Sequence, residues 1–191
     1  MPDTPAASST ARPTDRLFFA LRPDAQIAGL IMQRLAALRQ ALGLKGRPLK
    51  AEHLHITLHH VGDFPAFPAD LVRRLLEAGQ ALHAPAVPIC LDAVLSFGRQ
   101  NRRNNPLVLL AGEPLEPLRA FHRSLGVHLQ AAGGTGLRGK FTPHLTLLYD
   151  DALIELQALE PLHWTATEFL LIDSLIGQTR HVVLGRWTLR G

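Results

Sequence analysis

His53-Leu54-His55-Ile56-Thr57-Leu58-His59 alternates polar and apolar residues without a break. Strict alternation over a stretch of this length marks a strand with one face in a core. A second stretch, Thr142-Pro143-His144-Leu145-Thr146-Leu147, repeats the pattern His-x-Thr-Leu in the other half of the chain. At this composition the pattern arises by chance about 0.1 times, and twice in less than roughly one chain in a hundred. On a strand, positions i and i+2 share a face, about 6.5–7 Å apart. His55 and Thr57 therefore project together, as do His144 and Thr146, while Leu54, Ile56, Leu58, Leu145 and Leu147 anchor the opposite faces.

Working outward, Arg16-Leu17-Phe18-Phe19-Ala20-Leu21-Arg22 reads as a buried strand closed by Pro23. Asp24 caps a helix whose Ile27, Leu30, Ile31, Leu35, Leu38 and Leu42 recur at helical spacing, with Gly43 as its stop. After the first motif come a turn over 62–68, a helix over 69–82, a strand over 85–96 and a polar loop holding Arg99, Arg102 and Arg103. A strand over 107–111, a third helix over 114–131 and a glycine-rich loop lead to the second motif's strand, to about residue 149. Two more strands, over 168–176 and 181–189, complete the chain. Each half thus reads strand, helix, strand. This predicts a mixed α+β fold of two similar lobes that face each other.

The chain has 191 residues, 47% hydrophobic and 19% charged, which excludes a mainly disordered or collagen-like protein. Residues 1–15 lack the apolar core of a secretory signal and read as a disordered tail before one bilobal domain over 16–191. No stretch approaches the roughly 18 apolar residues of a membrane span, so a cytoplasmic protein is expected. Cys90 is the only cysteine, which excludes an intrachain disulfide and a cysteine-based zinc site. Of 20 cationic residues only Lys45, Lys50 and Lys140 are lysines, and the formal charge is +4. The arginine fork suits phosphate, so an anionic substrate fits this balance.

If two lobes bring the motif faces together, the groove holds two imidazoles and two hydroxyls. A phosphate placed there receives hydrogen bonds from Thr57 and Thr146. One histidine takes a proton from water and the other gives one to a departing oxygen, each near its pKa at neutral pH. A rival reading is a metal site, because His53, His55 and His59 fall on one face of an alternating strand. Against it, the second motif has no partner histidine and Asp63 lies beyond a turn, so no metal is expected. Lys140 and Arg138 precede the second motif and are placed to meet a phosphate. Arg180 and His181 begin the last strand and are candidate substrate-binding residues. Residues 133–139 lack the spacing of a triphosphate-binding loop. Phe18 and Phe19 read as core, with one of them free to line the groove.

The paired His-x-Thr-Leu strands resemble the 2H phosphoesterase superfamily. The stretches Arg16-Leu17-Phe18-Phe19-Ala20-Leu21, Glu52-His53-Leu54-His55-Ile56-Thr57-Leu58 and Thr142-Pro143-His144-Leu145-Thr146-Leu147 are similar to its RNA 2′,3′-cyclic phosphodiesterase branch, also called the 2′-5′ RNA ligase family. The resemblance implies a bilobal α+β fold, with two mainly antiparallel sheets flanked by helices and the active-site groove between them. It implies metal-free, cofactor-free opening of a 2′,3′-cyclic phosphate on RNA or a nucleotide to a 2′-phosphomonoester. His55 would be the proton donor, His144 the proton acceptor, and Thr57 and Thr146 the phosphate ligands. A monomer with no obligate protein partner and no membrane attachment is expected. This chain departs from the family pattern at His59-His60-Val61-Gly62, at Tyr149-Asp150 and at Arg180-His181. Three alternatives keep the same groove: 2′-5′ ligation, hydrolysis of another small cyclic phosphate, and an RNA-end-binding module without turnover.

Overall fold

The strand that carries the first motif, β2 (Ile56–Phe64), pairs antiparallel with β1 (Asp15–Leu21), and β1 pairs in turn with β7 (Glu168–Leu175). In this computed structural model the described residues are 11–99, 103–134 and 140–190. The remaining strands are β3 (Val87–Ser96), β4 (Asn105–Ala111), β5 (His144–Asp150), β6 (Gln157–Ala166) and β8 (Arg180–Thr188). All eight form one antiparallel sheet in the order β6-β3-β4-β5-β2-β1-β7-β8. The α+β class and the antiparallel pairing agree with the sequence reading. The two expected sheets, however, are joined into one, through a seam where β2 and β5 share the single register pair Ile56↔Leu145.

The lobes are not the two halves of the sequence. One set of four strands is β1, β2, β7 and β8, and the other is β3 to β6. The chain leaves the first set after β2 and returns to it after β6, so the C-terminal hairpin completes the N-terminal lobe. The helices cross between the sets. Helix α1 (Ala25–Leu42) joins β1 to β2, yet its Arg34 donates to the Glu160 carbonyl of β6. Helix α3 (Glu116–Ala131) joins β4 to β5, yet its Phe121 packs edge-on against Phe169 of β7 at 5.3 Å. Helix α2 (Ala69–Ala81) packs beside α3. No described helix is long and apolar enough to cross a membrane.

Local chemistry accounts for the boundaries. Asp24 caps α1, its carboxylate accepting from the Ile27 amide at 2.8 Å, and Gly43 ends the helix in a left-handed conformation at φ 64°. Ile31 and Leu35 of that helix are buried in the main core. Residues 51–53 form a 3-10 turn, so His53, the first residue of the expected strand, precedes β2, and β2 continues through residues 62–64, where the sequence predicts a turn. Asp63 is therefore inside the strand, where Arg16 grips both its oxygens at 2.7 and 2.8 Å. Strand β6 was missing from the sequence reading. It is an edge strand containing Pro161, and proline demotes a strand signal although an edge tolerates it. At the N-terminus β1 begins at Asp15 and the Thr14 amide bonds to the Phe64 carbonyl, so ordered pairing starts inside the stretch read as a tail. Residues 1–10 of that stretch lie outside the described residues.

Candidate active site

Both motifs break the alternation at the same place. Opposite β1, Thr57 pairs with Ala20 and His59 with Phe19, which leaves Leu58 as the extra residue of a β-bulge. Opposite β4, Thr146 pairs with Val108 and Leu148 with Leu107, which leaves Leu147 in the same position. A bulge puts two consecutive side chains on one side of the strand. The leucine of His-x-Thr-Leu is thus the bulged residue in each copy, and the position after it turns to the helical face. The expected sharing of one face by His53, His55 and His59 fails for this reason. His59 is buried on the helix side, stacked on His122 of α3 at 4.0 Å, and its Nε2 donates to the His122 carbonyl. Gly126 of α3 makes room for it, since a Cβ there would lie 3.1 Å from the His59 ring. Among the described residues no cluster of three or more His, Cys, Asp or Glu side chains has metal-binding geometry.

Antiparallel pairing centred on Ile56↔Leu145 sets His55 beside Thr146 and Thr57 beside His144, with both apolar residues fully buried behind them. An antiparallel pair of this kind relates the two motifs by a local two-fold axis. Each histidine is oriented in the same way. His55 Nδ1 lies 2.6 Å from the His53 carbonyl, and His144 Nδ1 lies 2.7 Å from the Thr142 carbonyl. A carbonyl only accepts, so Nδ1 carries the proton in both rings. Nε2 is then the working atom, an acceptor in the neutral ring and a donor in the protonated one. Neither threonine hydroxyl has a hydrogen-bond partner among the described residues.

Aromatic rings complete the walls. Phe18 lies in a small separate core with Ala20, Leu170 and Ile172 on the groove face, while Phe19 is in the main core. Phe18 stacks on His55 at 4.8 Å, and Phe97, just past β3, meets His144 edge-on at the same distance. His181 reaches the site, edge-on to His55 at 5.6 Å and stacked on His53 at 4.2 Å. Arg180 is exposed beside it. Sequence reasoning did not assign Phe97 or the stacked His53 a place here. Their one signal was proximity to a motif or to a loop. Lys140 is exposed, Arg138 and Arg102 lie outside the described residues, and Arg99 and Arg103 are exposed with no ion pair among the described residues.

Burial, partly offset by the bond to the His53 carbonyl, pushes His55 down to about 4, and the charges of Arg22 and His144 act in the same sense. Burial likewise lowers His181 to about 3, reinforced by His55 and His53, and lowers His122, between His59 and Phe141, to about 4.

The family model of the 2′-5′ RNA ligase superfamily matches residues 23–176. The chain belongs to that superfamily. Escherichia coli LigT in its apo form is similar at 28% identity with a TM-score of 0.69, covering 95% of this chain and 100% of that one. LigT complexed with 3′-AMP gives 25% identity and a TM-score of 0.70 over the same shares. A crystal structure described as a phosphoesterase gives 26% identity and a TM-score of 0.69, over 94% of this chain and 99% of its own. No functionally curated protein matches the chain. Membership in the superfamily agrees with the paired motifs, which lie at the seam of the sheet.

The low histidine pKa values imply a stability that depends on pH. At pH 7 His122 and His181 are neutral both folded and unfolded. Below about pH 6.5 the unfolded chain takes up protons that the folded one refuses, so stability falls as pH drops toward 4. Both rings are partly open to solvent, which screens the effect, so at pH 5 the loss is about 1 kcal/mol for each of these histidines relative to pH 7. Urea unfolding at the two pH values measures it, and His122→Phe should shrink the difference.

Proposed function

We propose that the chain hydrolyses 2′,3′-cyclic phosphate ends of RNA or nucleotides to 2′-phosphomonoesters, by proton transfer between two histidines and without a metal. The observation that carries this reading is the mirrored orientation of His55 and His144, Nδ1 held by the carbonyl two residues back and Nε2 free, on either side of two unpartnered threonine hydroxyls. Thr57 and Thr146 hold the non-bridging phosphoryl oxygens. His144 Nε2 takes a proton from water as the water oxygen bonds to phosphorus. The P–O3′ bond breaks, and the proton on His55 Nε2 passes to the departing 3′-oxygen. The site then holds a protonated His144 and a neutral His55, and exchange with solvent restores both. Burial keeps His55 neutral in the empty site, so its proton arrives with the anionic substrate, whose charge raises the histidine's affinity for it. His181 and Arg180 border the substrate on the His55 side. The reading includes a monomeric cytoplasmic enzyme with no obligate protein partner.

Incubation with 2′,3′-cyclic AMP in excess chelator tests it, with products separated chromatographically. The expected product is 2′-AMP at a rate the chelator leaves unchanged. Formation of 3′-AMP alone would reverse the bond that breaks, and loss of activity on chelation would restore the metal reading. Tight binding without product would make the chain an RNA-end-binding module. Ligation to a 2′-5′ linkage is the same proton transfer with a ribose 5′-hydroxyl in place of water, its proton passing to His144 and the 3′-oxygen taking one from His55, and is assayed in the same reaction by adding an RNA 5′-hydroxyl end.

A further inference from the structure

Arg22 directly follows β1, and its guanidinium makes no hydrogen bond among the described residues, with Nε and Nη2 buried and unpartnered. Leaving a charged donor buried and unpaired is unfavourable, and the charges of Glu168 and Glu52 offset this only in part, without a hydrogen bond to Arg22. Glu168 is bonded to Arg186, and Glu52 sits 3.5 Å from Lys50. Arg22 instead lines a cleft of about 420 Å³ together with Lys50, Glu52, Thr179, Arg180 and His181. Three cations face one already paired carboxylate there. His181 Nδ1 is likewise buried without a partner, and the same ring lies edge-on to His55. The cleft therefore opens on the His55 side of the motif pair, with His181 between them.

We infer that this cleft is a second phosphate site, in which Arg22, with Lys50 and Arg180, receives a phosphate ester covalently joined to the one held between His55 and His144. The inference rests on the two-histidine phosphodiesterase reading and names its substrate class: cyclic phosphates that carry another phosphate within one nucleotide. The planar guanidinium fork offers paired donors to two phosphoryl oxygens. The internal phosphodiester of an RNA chain and the 5′-phosphate of a mononucleotide present this same chemistry.

Three substrates separate these sources: 2′,3′-cyclic AMP, its 5′-phosphorylated form, and a diadenosine ending in a 2′,3′-cyclic phosphate. At least one doubly phosphorylated substrate should exceed 2′,3′-cyclic AMP in kcat/KM by about tenfold or more, through a lower KM. In Arg22→Gln that ratio should fall to within about twofold of unity. A ratio taken within each variant cancels any loss of folded protein. A larger gain for the dinucleotide assigns the cleft to RNA backbone, and a larger gain for the 5′-phosphate assigns it to a terminal phosphate. A wild-type ratio near one, or a ratio that Arg22→Gln leaves unchanged, would overturn the inference. If 2′,3′-cyclic AMP itself is not hydrolysed, the underlying phosphodiesterase reading fails. The cleft is then judged by calorimetric affinities of the same three compounds for wild type and Arg22→Gln, with the same ratios expected and the same outcomes overturning it.

Discussion

His55→Ala and His144→Ala each lower kcat on a 2′,3′-cyclic nucleotide by about 10³–10⁴-fold, the upper part of the range for removing a general acid or base. The two rings are held alike, by carbonyls 2.6 and 2.7 Å from Nδ1, and in the proposed reaction one is the base and the other the acid. Neither can cover for the other, because one proton must leave the water while another reaches the 3′-oxygen. Groups that act as a unit are strongly non-additive, so the double variant should be at most about tenfold slower than the worse single one. Both rings border the groove, so folding should survive each substitution, as circular dichroism would show. Steady-state kinetics on the three variants checks the expectation. Unchanged hydrolysis in both single variants would remove the histidine mechanism, and strictly multiplicative losses would mean that the two rings act in separate steps.

Leu145→Ala should cost about 3 kcal/mol of stability, within the range for truncating a fully buried leucine, and should also slow turnover by about tenfold or more. Leu145 is fully buried, pairs with Leu109 on one side and is the register partner of Ile56 on the other. That last pairing is the seam between the two four-stranded sets, and His144 and Thr146 flank it in sequence. A cavity beneath it loosens the spacing between the histidines, and small misplacements of reacting groups are costly to rate. Leu35→Ala, on α1 and equally buried in the main core, serves as the control. It should lose similar stability by urea unfolding while keeping kcat. Equal kcat losses in both variants would show that the seam has no special hold on the site.

Much of this was legible in the sequence because it depends on local rules. The cap at Asp24, the stop at Gly43 and the apolar stripe of α1 follow from backbone and side-chain chemistry within a few residues. The motif residues His55, Thr57, His144 and Thr146 stood out because a four-residue pattern recurred on strand-like segments. His181 was also marked, and it does border His55. The errors were of another kind. His59 was placed on the groove face because perfect alternation was carried through Leu58. The bulge there is set by pairing with β1, a strand distant in sequence. The face of a residue beyond a bulge depends on its partner strand, and periodicity within one segment does not contain that information. The lobes were assigned to sequence halves, whereas β7 and β8 return to pair beside β1. Arg22 gave no sequence signal at all, since an arginine before a proline at a strand's end is unremarkable until its neighbours are known.

By itself, then, the sequence determined the chemistry available to this protein: two histidines and two threonines on strands with apolar reverse faces, within an α+β chain of modest positive charge. Those properties are local, because strand alternation and helix periodicity act over a few residues. Only the tertiary structure decided that Ile56 meets Leu145, which sets the two motifs side by side about one axis. It alone turned His59 away and left Arg22 buried without a partner beside the site. These outcomes depend on which distant strands pair and in what register. That choice is made by burial summed over the whole sheet, where a shift of one residue would expose every core leucine on the strand.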